Sequence, residues 1–280
     1  MLDENKRHEL KETANEIRKW ALDMMQNLSQ GTTGVHVGGS MSIIDILTVL
    51  YFDQMNIRPE DPKWPDRDRF ILSKGHAGPG LYAVLARRGY FPKEMLYTLN
   101  KPKTNLPSHC DRIRTPGIDM TCGSLGQGIS AAVGQALAAK MQNRKSTVYC
   151  MVGDGEMEEG QVWEAAMFAG AHQLDNLIVF VDSNGLQIGG TVQYVENYGD
   201  PGKLFGAFGF EVIDNVNGHD VDAIQEAIIK AKAIRKPVCI VCNTIKGKGF
   251  VTAEGERRCH SMAVSYEDYV ASCAYIDETC

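Results

Sequence analysis

Apolar residues follow two different periods along this chain, and the change from one to the other divides it. Over residues 5–30 they recur at helical spacing, with Ile17, Trp20, Ala21, Met24 and Met25 on one stripe, which predicts an amphipathic opening helix. After the loop QGTTGVHVGG, the segment SMSIIDILTVLYFDQM predicts a second, apolar helix, and the proline-rich RPEDPKWPDRD then forces a connection. A short strand, RFILS, leads through a Gly/His-rich loop into a helix near Leu81 to Arg88. From residue 120 onward glycine loops, apolar strands and helices alternate. GSLGQG opens a helix over 127–142, and strand TVYCMV, helix GQVWEAAMFAGAH and strand LIVFV follow. Strand EVIDNV, helix 221–234 and strand PVCIVC complete the series. Strands apolar on both faces and alternating with helices predict an α/β fold, an open and mainly parallel sheet with helices on both faces. One domain over residues 1–280 accommodates all of these elements, with the early helices packed over the sheet.

Composition narrows the class. The chain is 44% hydrophobic and 23% charged, as ordinary globular enzymes are, and no apolar run approaches the ~20 residues that span a bilayer. The opening MLDENKRHELKETANEIRKW is charged throughout and lacks the apolar stretch of a secretory signal, so a cytoplasmic location is expected. A net charge of −6 without a sustained basic stripe argues against nucleic acid. Cys110, Cys122, Cys150, Cys239, Cys242, Cys259, Cys273 and Cys280 show no disulfide-scaffold rhythm, as expected of reduced thiols. The single CxxC, Cys239 to Cys242, falls inside a predicted strand, and no second ligand pair stands at a zinc-like spacing.

Candidate chemistry concentrates where one βαβ unit separates Asp154 from Asn184. Val152-Gly153-Asp154-Gly155 ends one strand, and Leu177 to Val181 runs into Asp182-Ser183-Asn184-Gly185-Leu186. If the two strands are neighbours, both side chains emerge at the carboxyl edge of the sheet, where open α/β folds bind ligands. A magnesium ion takes about six oxygens. Asp154, the Asn184 amide oxygen and one backbone carbonyl would supply half of them and leave room for a diphosphate. Gly153 and Gly155 would let the backbone approach the phosphates, and amides at a following helix start favour an anion. Read singly, GDG is a tight strand-to-helix turn and Asn184-Gly185 a turn dipeptide.

Gly153-Asp154-Gly155 followed some thirty residues later by Asn184 resembles the thiamine-diphosphate signature, and GDGEMEEGQVWEAAMFAGAHQLDNLIVFVDSNGLQ is similar to transketolases. GVHVGGSMSIIDILTVLYF, DRFILSKGHAGPGLYAVL, LPSHCDR, TPGIDMTCGSLGQGIS, NGHD and TIKGKG extend the resemblance over essentially the whole chain. The resemblance implies that Asp154 and Asn184 ligate the metal, that Leu186 adds its main-chain carbonyl, and that Gly155 meets the diphosphate. It implies contact between the cofactor and Gly123, Ser124 and Leu125, with the Leu125 side chain against the thiamine. His36, His76, His109 and His260 fall where the family places imidazoles around the diphosphate and the sugar hydroxyls, a task suited to a ring that both donates and accepts. Lys246 would neutralise diphosphate charge. Glu159 and Glu164 match acidic positions near a subunit interface, although acidic residues at a helix start also complement its dipole. His8, His172 and His219 receive no role; His219 precedes Asp220, a candidate helix cap.

The same resemblance implies ketol transfer, moving a two-carbon unit from a ketose to an aldose with thiamine diphosphate and magnesium, calcium or manganese serving the same oxygen set. It also implies a companion C-terminal subunit carrying the pyrimidine-binding domain and its glutamate, an α2β2 assembly, and no turnover by this chain alone. Val35-His36-Val37 stands where the family has Gly-His-Pro, Cys110 follows His109 where proline is common, and CHSMAV departs from a WHGxxP-like context. These departures bear on sugar specificity. The alternatives are a 2-oxo acid dehydrogenase or deoxyxylulose-phosphate synthase type of thiamine enzyme, and a noncatalytic chain of the same fold.

Overall fold

The computed structural model describes residues 2–28 and 34–279; the start of the QGTTGVHVGG loop and Cys280 lie outside them. Strands β1 (Arg69–Leu72), β2 (Val148–Gly153), β3 (Leu177–Ser183), β6 (Glu211–Asn217) and β7 (Val238–Asn243) form a five-stranded sheet in the order β1-β2-β3-β7-β6. Every pairing in it is parallel, and Gly153 stands opposite Asp182 while Ser183 stands opposite Asn243. The two-residue strands β4 (Leu186–Gln187) and β5 (Gly190–Thr191) make a separate antiparallel hairpin just past β3.

Side-chain alternation along each strand sorts the interior into two layers. Tyr149, Met151, Ile178, Phe180, Ile240 and Cys242 face one layer, covered by α1 (Glu4–Gln26), α3 (Ile44–Val49), α4 (Gly78–Arg88) and α9 (Val221–Ala233). Cys150, Val152, Val179, Val181, Cys239 and Val241 face the other, covered by α5 (Gln127–Met141), α6 (Gly160–Ala171) and α8 (Pro201–Ala207). The expected sheet with helices on both faces is therefore the observed one. Cys239 and Cys242 are buried on opposite faces of β7, so the CxxC spacing does not bring the two thiols together toward one ligand. The remaining helices are α2 (Gly38–Met41), α7 (Val192–Val195) and α10 (Tyr266–Thr279).

Two elements differ from the sequence expectation. The opening helix ends at Gln26, with Trp20 only partly buried beneath the Lys93 ammonium, which lies 4.4 Å from its ring centroid. The single helix expected over 40–55 is instead α2, α3 and a π-turn over Leu50–Gln54, broken at Ile43, whose φ and ψ are −106° and 3°. Beside the break the Ser42 hydroxyl donates to Asp182 at 2.7 Å. A tertiary hydrogen bond to the end of β3 thus outranks local helix propensity.

Candidate active site

Four neighbouring strands deliver their carboxyl ends to one cleft. Ser73, Lys74 and His76 follow β1, Asp154 follows β2, Asp182 and Asn184 end β3, and Thr244 and Lys246 follow β7. The cleft has a volume of about 250 Å³ and is lined by the four predicted imidazoles, by Gly123, Leu125, Gly153, Asp154, Gly155, Asn184 and Leu186, and by Lys246. Residues that are far apart in sequence thus meet at the strand edge expected for a ligand site.

The oxygen donors sit as the βαβ spacing predicts, because β2 and β3 are direct neighbours. Asp154 is 4% exposed; its two oxygens accept the Gly155 N–H at 2.8 Å and the Gly185 N–H at 2.5 Å. Asn184 donates from Nδ2 to Asp182 at 3.0 Å, and its Oδ1 accepts the Leu186 N–H at 3.1 Å. The Leu186 carbonyl accepts the Lys246 ammonium at 3.0 Å. One carboxylate with neutral amide and carbonyl oxygens is the donor chemistry of a hard divalent cation. Burial first, and the nearby Asp182 second, push the Asp154 carboxyl up to about 6. The residues present therefore fit a divalent ion.

Asp154 is followed by a 3-10 turn over Gly155–Glu158 before α6 begins at Gly160, so GDG does not open directly into the long helix. The turn brings in Glu156, which in the sequence looks like one more charge of a helix start. Glu156 is 2% exposed, and its carboxylate accepts the Ser73 hydroxyl, the Gly126 N–H at 2.8 Å and the Gly153 N–H at 3.1 Å. It ties the 123–126 loop to the end of β2.

A second group that the sequence does not announce lies beneath the donors. Asp182 is fully buried and accepts Lys74, Ser42, Thr244 and Asn184, and Lys74 donates also to the Gly39 carbonyl at 2.8 Å. Burial would raise the Asp182 carboxyl, but the Lys74 ammonium and the hydroxyls outweigh it and hold it below its ordinary value. Because Asp182 takes the Nδ2 end of Asn184, the amide oxygen is the end left for a cation. Each stands two residues before a predicted site residue, Lys74 before His76 and Asp182 before Asn184, but neither local motif carries their pairing.

The four predicted imidazoles converge on the wall of the cleft. The His36 ring centroid lies 5.1 Å from that of His76, 5.6 Å from His109 and 5.5 Å from His260, and His76 and His260 are 5.3 Å apart. Burial, followed by the Lys74 ammonium, holds His76 well below its ordinary value; burial, His109 and Lys246 lower His36. Burial and then Lys246 bring His260 down to about 4. These three rings are neutral near pH 7, and the buried Nδ1 of His260 has no hydrogen-bond partner among the described residues. Such rings are poised to accept and donate to a bound polyol.

The other predicted residues are placed as follows. Ser124 is exposed and is not part of the cleft lining. Lys246 is buried, with burial and Lys74 lowering its ammonium. Gly38 packs so tightly on it that an added Cβ would lie 2.8 Å from Lys246 Cγ. Glu159 and Glu164 are exposed at the start of α6, and Glu159 makes no side-chain cap there.

Comparison with known proteins agrees with this geometry. Residues 9–274 match the family model described as transketolase, thiamine diphosphate binding domain. The chain is 50% identical to a 6-deoxy-6-sulfo-D-fructose transketolase subunit from Clostridium sp. (strain MSTE9), over 96% of this chain and 97% of that one. It is 37% identical to an apulose-4-phosphate transketolase subunit from Actinobacillus succinogenes, over 90% of each chain. The crystal structure of Campylobacter jejuni transketolase superimposes with a TM-score of 0.88 at 34% identity, covering 96% of this chain and 42% of that one. The chain thus spans about two fifths of that solved transketolase. On the match over 9–274 and these identities, the chain belongs to the transketolase family and carries its thiamine-diphosphate-binding domain.

Proposed function

We propose that this chain is the diphosphate-binding subunit of a transketolase that moves a two-carbon ketol unit from a ketose to an aldose. The observation that carries the reading is the meeting of two groups in one cleft: oxygen donors for a cation above the buried Lys74–Asp182 pair, and four imidazoles at the wall. Thiamine diphosphate, when bound, supplies the electron sink for carbon–carbon cleavage next to a ketone. Asp154, the Asn184 amide oxygen and the Leu186 carbonyl hold a divalent cation, magnesium or, with the same oxygens, calcium or manganese. Lys246, Gly153, Gly155 and the 123–125 loop hold the diphosphate side, and Leu125 supplies an apolar contact. His36, His76, His109 and His260 bind sugar hydroxyls and move protons between them; the lowered basicity of His36, His76 and His260 suits this because the neutral ring offers a lone pair.

The remaining machinery belongs to a companion chain with the pyrimidine-binding domain, in an α2β2 assembly where exposed Glu159 and Glu164 lie at the contact. The names of the 50% and 37% identical relatives, each a transketolase subunit, support the companion, and residues 1–280 then form the single diphosphate domain of the pair. Those names also direct the donor class: a ketose bearing a terminal sulfonate or phosphate.

The test is ketol transfer to an aldose phosphate with thiamine diphosphate and Mg2+. The chain alone is compared with the chain plus its companion, offered 6-deoxy-6-sulfofructose, apulose 4-phosphate or fructose 6-phosphate. Transfer only in the pair supports the reading; transfer by the chain alone overturns the need for a companion. Decarboxylation of pyruvate by the pair, without ketol transfer, assigns it to the 2-oxo acid or deoxyxylulose-phosphate type instead.

A further inference from the structure

One histidine outside the cleft lining is held at both ring nitrogens and has no part in the chemistry above. His219 Nδ1 lies 2.8 Å from Asp45 Oδ2, and its Nε2 accepts the main-chain N–H of Ile245 at 2.8 Å. An amide only donates, so Nε2 carries the lone pair and Nδ1 carries the proton that it gives to Asp45. Asp45 also receives the Arg18 guanidinium. Burial pushes the Asp45 carboxyl up, but Arg18 and His219 outweigh it and keep it charged. An ordered line therefore runs from α1 through α3 to the peptide just before Lys246.

That peptide needs an anchor of this kind. The Ile245 side chain is 40% exposed and offers little packing to fix its backbone. Its approach to the 217–219 turn is close, because an added Cβ on Gly218 would lie 2.4 Å from Thr244 Cγ2, and the Gly218 N–H donates to the Asn243 carbonyl at 2.9 Å. Downstream, the Gly247 N–H donates to the Gly38 carbonyl at 3.0 Å and the Gly255 N–H to the Lys246 carbonyl at 2.8 Å. Lys246 leaves the main chain between these anchors and reaches the Leu186 carbonyl.

We propose that His219 is a positioning residue: the Arg18–Asp45–His219 line fixes the Ile245 peptide and so sets where the Lys246 ammonium delivers its charge. The inference rests on the reading of the cleft as a thiamine-diphosphate site. Loss of the ring removes one of several anchors of this segment, so the effect is graded rather than total.

A double-mutant cycle on affinity tests it. Wild type, His219→Ala, Lys246→Met and the double variant, each paired with the companion chain under saturating Mg2+, are titrated with thiamine diphosphate by calorimetry. His219→Ala is expected to weaken binding about tenfold, the scale of one buried hydrogen bond, with kcat at saturating cofactor lowered less than about threefold. The double variant should bind no more than about twofold worse than Lys246→Met, because His219 acts through that lysine. His219→Gln, whose amide retains a donor and an acceptor, should recover part of the loss. Additive losses, or unchanged affinity in His219→Ala while Lys246→Met weakens binding, overturn the inference and leave the cleft reading intact. Unchanged affinity in Lys246→Met overturns the inference together with the placing of the diphosphate at that lysine. If the alanine variant does not fold, His219→Phe fills the space, holds neither bond, and reads the same coupling.

Discussion

On the floor of the cleft Lys74, Ser42, Thr244 and Asn184 all donate to Asp182, whereas on the wall no hydrogen bond joins the rings of His36, His76, His109 and His260 to the described residues. The floor is a closed polar network in which each buried charge has its partner. The wall is open: its rings touch one another at 5 to 6 Å and keep their nitrogens for something else. Closed networks give rigidity to the groups they support, and open polar groups are what a ligand completes. The two regions should consequently fail in different ways when a residue is removed.

The largest expected effect lies at the floor. Lys74→Met leaves Asp182 buried without its cation and should cost about 3–5 kcal/mol of stability, the scale for removing one partner of a buried pair. Urea unfolding of the chain measures it, and a loss under about 1 kcal/mol would mean that the floor relaxes or admits water. His76→Ala should do the opposite. Unfolding stability should change by less than about 1 kcal/mol while kcat of the paired enzyme falls about a hundredfold or more, as for loss of an acid–base group. A stability loss as large as that of Lys74→Met would erase the distinction between wall and floor.

Glu156→Gln sharpens the comparison, because Glu156 belongs to the floor by burial yet holds a loop that lines the cleft. A glutamine keeps the size but offers one acceptor oxygen to three donors, Ser73, Gly126 and Gly153. The expected cost is about 1–2 kcal/mol from a donor left unsatisfied. Faster hydrogen exchange at Gly126 than in the wild type should accompany it; an unchanged rate there would detach the loop from Glu156.

The floor was less legible in the sequence than the wall and the pair Asp154 and Asn184. Asp154 and Asn184 announce themselves through glycine neighbours and a βαβ spacing, and the histidines through their loop motifs, all of which are local. The pairing of Lys74 with Asp182 spans 108 residues, and that of Ser42 with Asp182 spans 140. No periodicity carries such information, and the same contact explains the break between α2 and α3 in a stretch that reads as one apolar helix. Glu156 looks like a helix-start charge because its neighbours Glu158 and Glu159 are also acidic; only the 3-10 turn directs it inward. The sheet itself was legible because its central strands are apolar on both faces.

The smallest effect comes from the wall without any ligand. His260 falls from an ordinary 6.5 to about 4 in the folded chain, through burial and the nearby Lys246. Between those values the unfolded chain binds the proton and the folded chain does not, so this ring makes stability rise with pH across the window. Its contribution is fully present above about 6.5 and is lost as the pH falls toward 4. Asp154 works in the opposite sense, because a carboxyl raised from 3.8 to about 6 binds its proton more tightly in the fold and favours the folded state at lower pH. The net slope therefore understates each group, and the difference between wild type and His260→Gln is the quantity to measure. Urea unfolding of the chain free of cofactor, from about pH 7.5 down to about pH 5, should give a shallower loss for the variant, by about one proton at most. Protonation of His36 or His76 would oppose that of His260 through the same short ring distances, so removing His260 should also ease uptake by its neighbours and widen the difference. Parallel curves for the two proteins would mean that the His260 ring is hydrated well enough to titrate as a free imidazole, and the wall would then be a wet surface instead of a desolvated one.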